Sequence, residues 1–130
     1  MPISYVIDDD QRVIRETWSG EVSAGDLRNY WQQYLADAQV LELRRTIVDL
    51  RRATPTFDGA ALRELITTVV DPVLKGRDWR TAIVVEKPLQ FGISRQYQAF
   101  AEHYSRDAIF SDPESAMRWL VENDQERQKS

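Results

Sequence analysis

The residues whose types and spacing could do chemistry are mostly charged. Asp49 interrupts the apolar run Thr46–Leu50, and Asp58 stands ahead of Gly59 and Ala60 at the start of a helical pattern. A carboxylate inside a strand is either buried with a raised pKa or bonded to neighbouring backbone at the strand end; the second reading asks less of the fold. Pro88-Leu89-Gln90 opens a helix that lacks a Ser, Thr, Asp or Asn cap. Its free backbone donors, with Lys87 just before and Gly92 and Arg95 on the first turns, suit a phosphate or carboxylate, with Arg51 assisting. Water could equally cap those amides, Gly92 could permit close packing and Arg95 could pair with an acid. The single histidine, His103, falls late in a helix among polar neighbours, where a solvent-facing ring is the ordinary outcome. Asp8-Asp9-Asp10 lacks the spaced oxygen ligands and later glutamate of a calcium loop and reads as a hairpin turn.

With no cysteine, the chain has no disulfide, zinc–thiolate site or thiol nucleophile. It also lacks a metalloprotease helix, a nucleophile elbow, a phosphate-binding glycine loop and a dinucleotide fingerprint. The expectation is a protein that is not an enzyme, with no metal and no cofactor. The net charge of −4 argues against non-specific nucleic-acid binding. Neither a leader pattern nor an apolar run of membrane-spanning length is visible, so a cytoplasmic protein without a membrane span is expected.

These residues must be positioned by a chain that alternates strands and helices. Ile3, Tyr5 and Ile7 share one face of a first strand, and Arg12–Gly20 reads as its hairpin partner. The buried face of that partner is open, because Ile14 and Trp18 share it with Glu16. Ser23 caps a helix with the stripe Leu27, Tyr30, Trp31, Tyr34 and Leu35, which packs on the sheet or walls an apolar pocket. After the strand Thr46–Arg51, Asp58 caps a second helix carrying Leu62, Leu65, Ile66, Val69, Val70 and Val73. Pro72 should interrupt that helix, with Asp71-Pro72 acting as a new cap and Gly76 as the stop. Arg80–Lys87 contains Ala82-Ile83-Val84-Val85, apolar on both faces, the pattern of a central strand covered by helices on both sides. A third helix from Pro88 presents Ile93, Tyr97, Phe100, Ala101 and Tyr104. Asp107–Ser111 is a short strand, and Asp112-Pro113-Glu114 starts a last helix docked by Ala116, Met117, Leu120 and Val121. Glu122–Ser130 is polar and expected to fray. The order is β-β-α-β-α-β-α-β-α: an α/β fold with a mixed sheet of about five strands and an antiparallel N-terminal hairpin. It forms one domain over residues 1–123, with a polar tail over 124–130.

This order, together with Trp18-Ser19-Gly20-Glu21-Val22, Val48-Asp49-Leu50, the segment Phe91–Tyr97 and the closing Phe110–Leu120, resembles a STAS-type domain. It is most similar to the SpoIIAA-like branch related to the bacterial anti-sigma-factor antagonists, a branch sometimes grouped with CRAL-TRIO lipid-binding domains. In the antagonists, the helix after the Val-Asp-Leu strand opens with an aspartate and a phosphorylatable serine. Here Asp58 matches, but the serine position is Gly59 and the next is Ala60, so the phosphate switch cannot operate there. Thr54 and Thr56 lie nearby as other hydroxyls. The resemblance implies a regulatory binding or interaction module, or alternatively a small-molecule or lipid carrier with an apolar or anion-binding pocket behind the Tyr30-Trp31-Tyr34 helix. The partner is then a protein, a small anionic or apolar ligand, or a second copy of the chain, with Trp79 and Trp119 off the core stripes as a contact surface.

Overall fold

Period-two alternation in the first twenty-two residues builds a hairpin. The computed structural model describes residues 2–129, with side chains for residues 2–122. Strands β1 (Ile3–Asp8) and β2 (Val13–Val22) pair antiparallel, from Ile3 opposite Trp18 to Asp8 opposite Val13. In the turn, Asp8 accepts from the Gln11 amide at 3.0 Å and from Arg15 Nε at 2.9 Å. Arg12 lies in the turn rather than the strand, in the left-handed region at φ 57°. The aspartate triplet is thus a hairpin turn, as its spacing indicates.

The remaining strands are β3 (Arg45–Pro55), β4 (Trp79–Val84) and β5 (Ser105–Phe110), all parallel to β2, in the spatial order β1-β2-β3-β4-β5. The mixed five-stranded sheet with its antiparallel edge is the architecture the sequence pattern implies. A register shift between Thr17 and Ser19 opposite Asp49 and Arg52 places one additional residue on β3. Such a bulge sharpens the local twist.

Four helical segments cover one face. Helix α1 (Ala24–Tyr34) starts at Ser23, whose hydroxyl accepts from the Asp26 amide while Asp26 accepts from the Ser23 amide, a reciprocal capping box. The short helix α2 (Ala38–Leu43), capped by Asp37, was not visible in the hydrophobic pattern because one turn and a half is too short to show a period. Helix α3 (Gly59–Leu65), capped by Asp58, continues through a π-helical turn, Ile66–Val70, into α4 (Asp71–Leu74). Asp71-Pro72 therefore does not act as a new cap: Asp71 is itself helical, and its amide bonds to the Ile66 carbonyl. Proline lacks an amide hydrogen and crowds the carbonyl four residues back, and a widened turn relieves that conflict without breaking the helix. Gly76, at φ 84°, ends it as expected. Helix α5 (Pro88–Ala101) completes this layer, its Ile93 buried in the main core.

Helix α6 (Pro113–Lys129) alone covers the opposite face, where Ala116 and Leu120 pack on Val13, Ile47, Ala82 and Val84. Burial on both faces explains the continuous apolar run Ala82–Val85 at the end of β4. The stretch expected to fray continues α6 as far as Lys129, and Ser130 lies outside the described residues. Trp79 is only 2% exposed and belongs to the main core, so it cannot serve a contact surface. Trp119 is half-buried against Phe110, with ring centroids 5.9 Å apart.

Candidate functional site

Strand alternation puts Ile14, Glu16 and Trp18 together on the helix-covered face of β2, and all three are buried. Glu16 is 5% exposed. Its carboxyl accepts from Trp18 Nε1 at 2.7 Å and from the Tyr30 hydroxyl of α1 at 2.7 Å. Each oxygen thus holds one neutral donor and retains capacity for a second. Burial pushes the Glu16 pKa from 4.5 up to about 7, against the downward pull of the two hydrogen bonds.

Glu16 forms part of the wall of a cavity of about 70 Å³ between the sheet and the helices. The wall draws on several elements: Trp18 from β2, Trp31 and Tyr34 from α1, Thr46 and Val48 from β3, Val70 from the π turn, Trp79 and Thr81 from β4, and Ser94 and Tyr97 from α5. Tyr34 and Thr46 share a 2.6 Å hydroxyl contact, and Trp79 Nε1 donates to Thr46 at 3.3 Å, so this part of the wall is rigidly bonded. Tyr30 stacks on Tyr34 at 5.2 Å. The aromatic stripe of α1 therefore does both things its pattern allowed: it packs the core, and it walls a cavity. At about 10–15 Å³ per water-sized body, the space accepts about five such bodies, which suits a small molecule and not an acyl chain.

The other candidate residues take simpler roles. Asp49 forms an ion pair with Arg51 at 2.9 Å and accepts from the Arg51 amide at 3.0 Å. The Arg51 side chain holds the Asp49 pKa below the ordinary range, so the raised-pKa alternative is corrected and the backbone-bonding one is what the structure shows. His103 is exposed on the surface, 3.9 Å from Asp71. At the opening of α5, the buried Gln90 accepts from the amides of Glu86 at 2.8 Å and Lys87 at 3.0 Å. Its own amide group donates to the carbonyls of Arg51 at 3.2 Å and Ala53 at 2.9 Å. Lys87 and Gly92 are exposed on the first turns, while Arg95, exposed on the next, lies over the Phe91 ring at 5.6 Å. Eight residues of helix separate Lys87 from Arg95 by about 12 Å along the axis. Among the described residues, no cluster of three acidic or histidine side chains could hold a metal ion, and no helix is long and apolar enough to cross a membrane.

Asp58 caps α3 by accepting from the Ala61 amide at 2.9 Å. A Cβ on Gly59 would meet the Gln96 side-chain amide at 2.6–3.0 Å. Gln96 is exposed and its end can swing away, so Gly59→Ser is expected to change stability by less than about 1 kcal/mol, measured by urea unfolding.

The architecture is shared with a crystal structure of an uncharacterized protein from the DUF3478 family in Shewanella loihica. It is 18% identical to this chain, with a TM-score of 0.59 over 91% of this chain and 93% of the other. The fold is SpoIIAA-like. The similarity at this identity concerns backbone arrangement alone. No known protein family's profile matches the chain, and no curated protein matches it. Gly59 is half-buried at the start of α3, whereas Glu16 and the cavity lie beneath the helical layer.

Sequence reasoning passed over Glu16, Thr46 and Gln90. The signal for Glu16 was present: a charged residue sharing a strand face with Ile14 and Trp18 must be either exposed with them or buried with a purpose. Gln90 gave a weaker one, as the third residue of a helix without a polar N-cap, where a glutamine can reach back.

Proposed function

We propose that this SpoIIAA-like domain is a non-enzymatic binding module, regulatory in character, that works without phosphorylation at the start of α3 and takes a small ligand in its internal cavity. The observation that carries the reading is the buried Glu16, the one charged type in the wall of a cavity otherwise lined by aromatic, aliphatic and hydroxyl side chains. A carboxyl group in such a place destabilises the fold unless something compensates it, and ligand sites are characteristically apolar with a few placed polar groups. The π turn supports the same reading, since Val70 lines the cavity and such turns recur at functional sites. Binding rather than catalysis is favoured by the engagement of Asp49 with Arg51 and by the surface position of His103.

The test is native mass spectrometry of the gently purified protein against its denatured mass. Retained mass that leaves on denaturation is the expected result. A bare subunit mass, together with indole proton resonances that do not move when small probe molecules are added, would overturn it and leave only a protein-interaction role. The same spectrum separates monomer from dimer.

A further inference from the structure

Among the described residues, Glu16 is the only carboxyl lining the cavity, and no lysine, arginine or histidine lines it. Both bonds to its carboxyl come from neutral donors, the Trp18 indole and the Tyr30 hydroxyl. A buried carboxylate is normally matched by a cation, and here the protein supplies none within the cavity. The wall also presents six aromatic residues, Trp18, Trp31, Tyr34, Phe57, Trp79 and Tyr97. Aromatic rings and a carboxylate are the two features that attract an ammonium group, one through the ring quadrupole and one through charge. An anion would be repelled by Glu16. A neutral molecule would use the apolar wall but would leave the carboxyl without its counter-charge. The volume of about 70 Å³ limits the guest to about five heavy atoms.

Resting on the small-ligand reading above, we infer that the cavity binds a small protonated aliphatic amine, with its ammonium group on Glu16 and its alkyl part among the aromatic rings. The free capacity on each Glu16 oxygen accepts the ammonium hydrogens without displacing Trp18 or Tyr30. The hydrogen bonds from Trp18 and Tyr30 hold the carboxyl in place, so its position is fixed before the guest arrives.

The experiment uses isobutylamine and isobutanol, which have the same shape and five heavy atoms each, titrated into the full chain at constant ionic strength. At about pH 8 Glu16 is ionised and an alkylamine, with a pKa near that of lysine, is protonated. The readout is the Trp18 indole N–H resonance, which reports directly on the Glu16 carboxyl. The expected result is saturable binding of isobutylamine, weakened about tenfold or more both for isobutanol and for isobutylamine with the Glu16→Gln variant. Glutamine keeps the volume and can accept from Trp18 while donating to the Tyr30 oxygen, so the variant is expected to fold. Isobutanol binding as tightly as the amine, or unchanged amine binding by Glu16→Gln, overturns the amine assignment while the small-ligand reading stands. Absence of binding by both probes overturns the amine assignment, and together with a bare subunit mass it overturns the small-ligand reading as well.

Discussion

Replacing Glu16 by glutamine is expected to stabilise the protein at pH 8 by about 3 kcal/mol while leaving it nearly unchanged at pH 4. Burial raises the Glu16 pKa from 4.5 to about 7, so the folded state holds a proton that the unfolded chain releases earlier. For an acid shifted in that direction, the protonated folded form is fully favourable below the unfolded pKa. The advantage is lost as pH rises through the folded pKa, where a charge must be carried in a low-dielectric wall. The window is therefore pH 4.5 to about 7. Glutamine has no such charge, and the stability difference between the two proteins should widen through that window and then level off. Asp107, also pushed up by burial, to about 6, and the carboxylates held low, such as Asp8 and Asp49, are common to both proteins and cancel in the difference. Urea unfolding of both proteins across the pH range measures it. A difference that stays constant with pH would show that Glu16 is not ionising inside the fold. A variant that gains stability and loses amine binding would show that the wild-type carboxyl is kept for binding rather than for folding.

Gln90→Met is expected to destabilise the protein by about 3 kcal/mol, since removing partners from buried backbone groups costs about 1–3 kcal/mol each and some of these can regain water. One side chain, 1% exposed, joins two amides ahead of α5 to two carbonyls at the end of β3. Methionine fills the same volume but satisfies none of the four groups, so the loss isolates the hydrogen bonds from packing. Urea unfolding gives the magnitude, and faster amide exchange at Glu86 and Lys87 localises it. Unfolding free energies within error of each other would show that water replaces Gln90 at this corner.

Much of the fold was legible because periodicity and punctuation in the chain are local. Ile3, Tyr5 and Ile7 alternate; Ser23, Asp58 and Asp112 are capping residues whose side chains do accept from the amides three residues on. The run Ala82–Val85 is apolar because helices cover both sides of β4. Where one residue's local preference conflicts with its surroundings, the outcome was not legible. Pro72 ends an isolated helix, but here packing of Val70 and Leu74 in the core holds the chain helical and the conflict is absorbed in a π turn. Trp79 falls off any helical stripe, yet as the first residue of a central strand it is buried by its neighbours in space.

The site divides in the same way. The sequence alone determined the order of strands and helices, the absence of a hydroxyl at Gly59 and Ala60, and the absence of cysteine chemistry, because each is a matter of residue type or local pattern. The tertiary structure alone decided that Glu16 faces inward, that Trp18 and Tyr30 meet at its oxygens, and that a cavity remains beside them. The donors come from residues two and fourteen positions away, on different elements, and the wall gathers residues from Glu16 to Tyr97. Such convergence depends on strand register and helix docking, which are set by the packing of the whole sheet and carry no short-range mark in the chain.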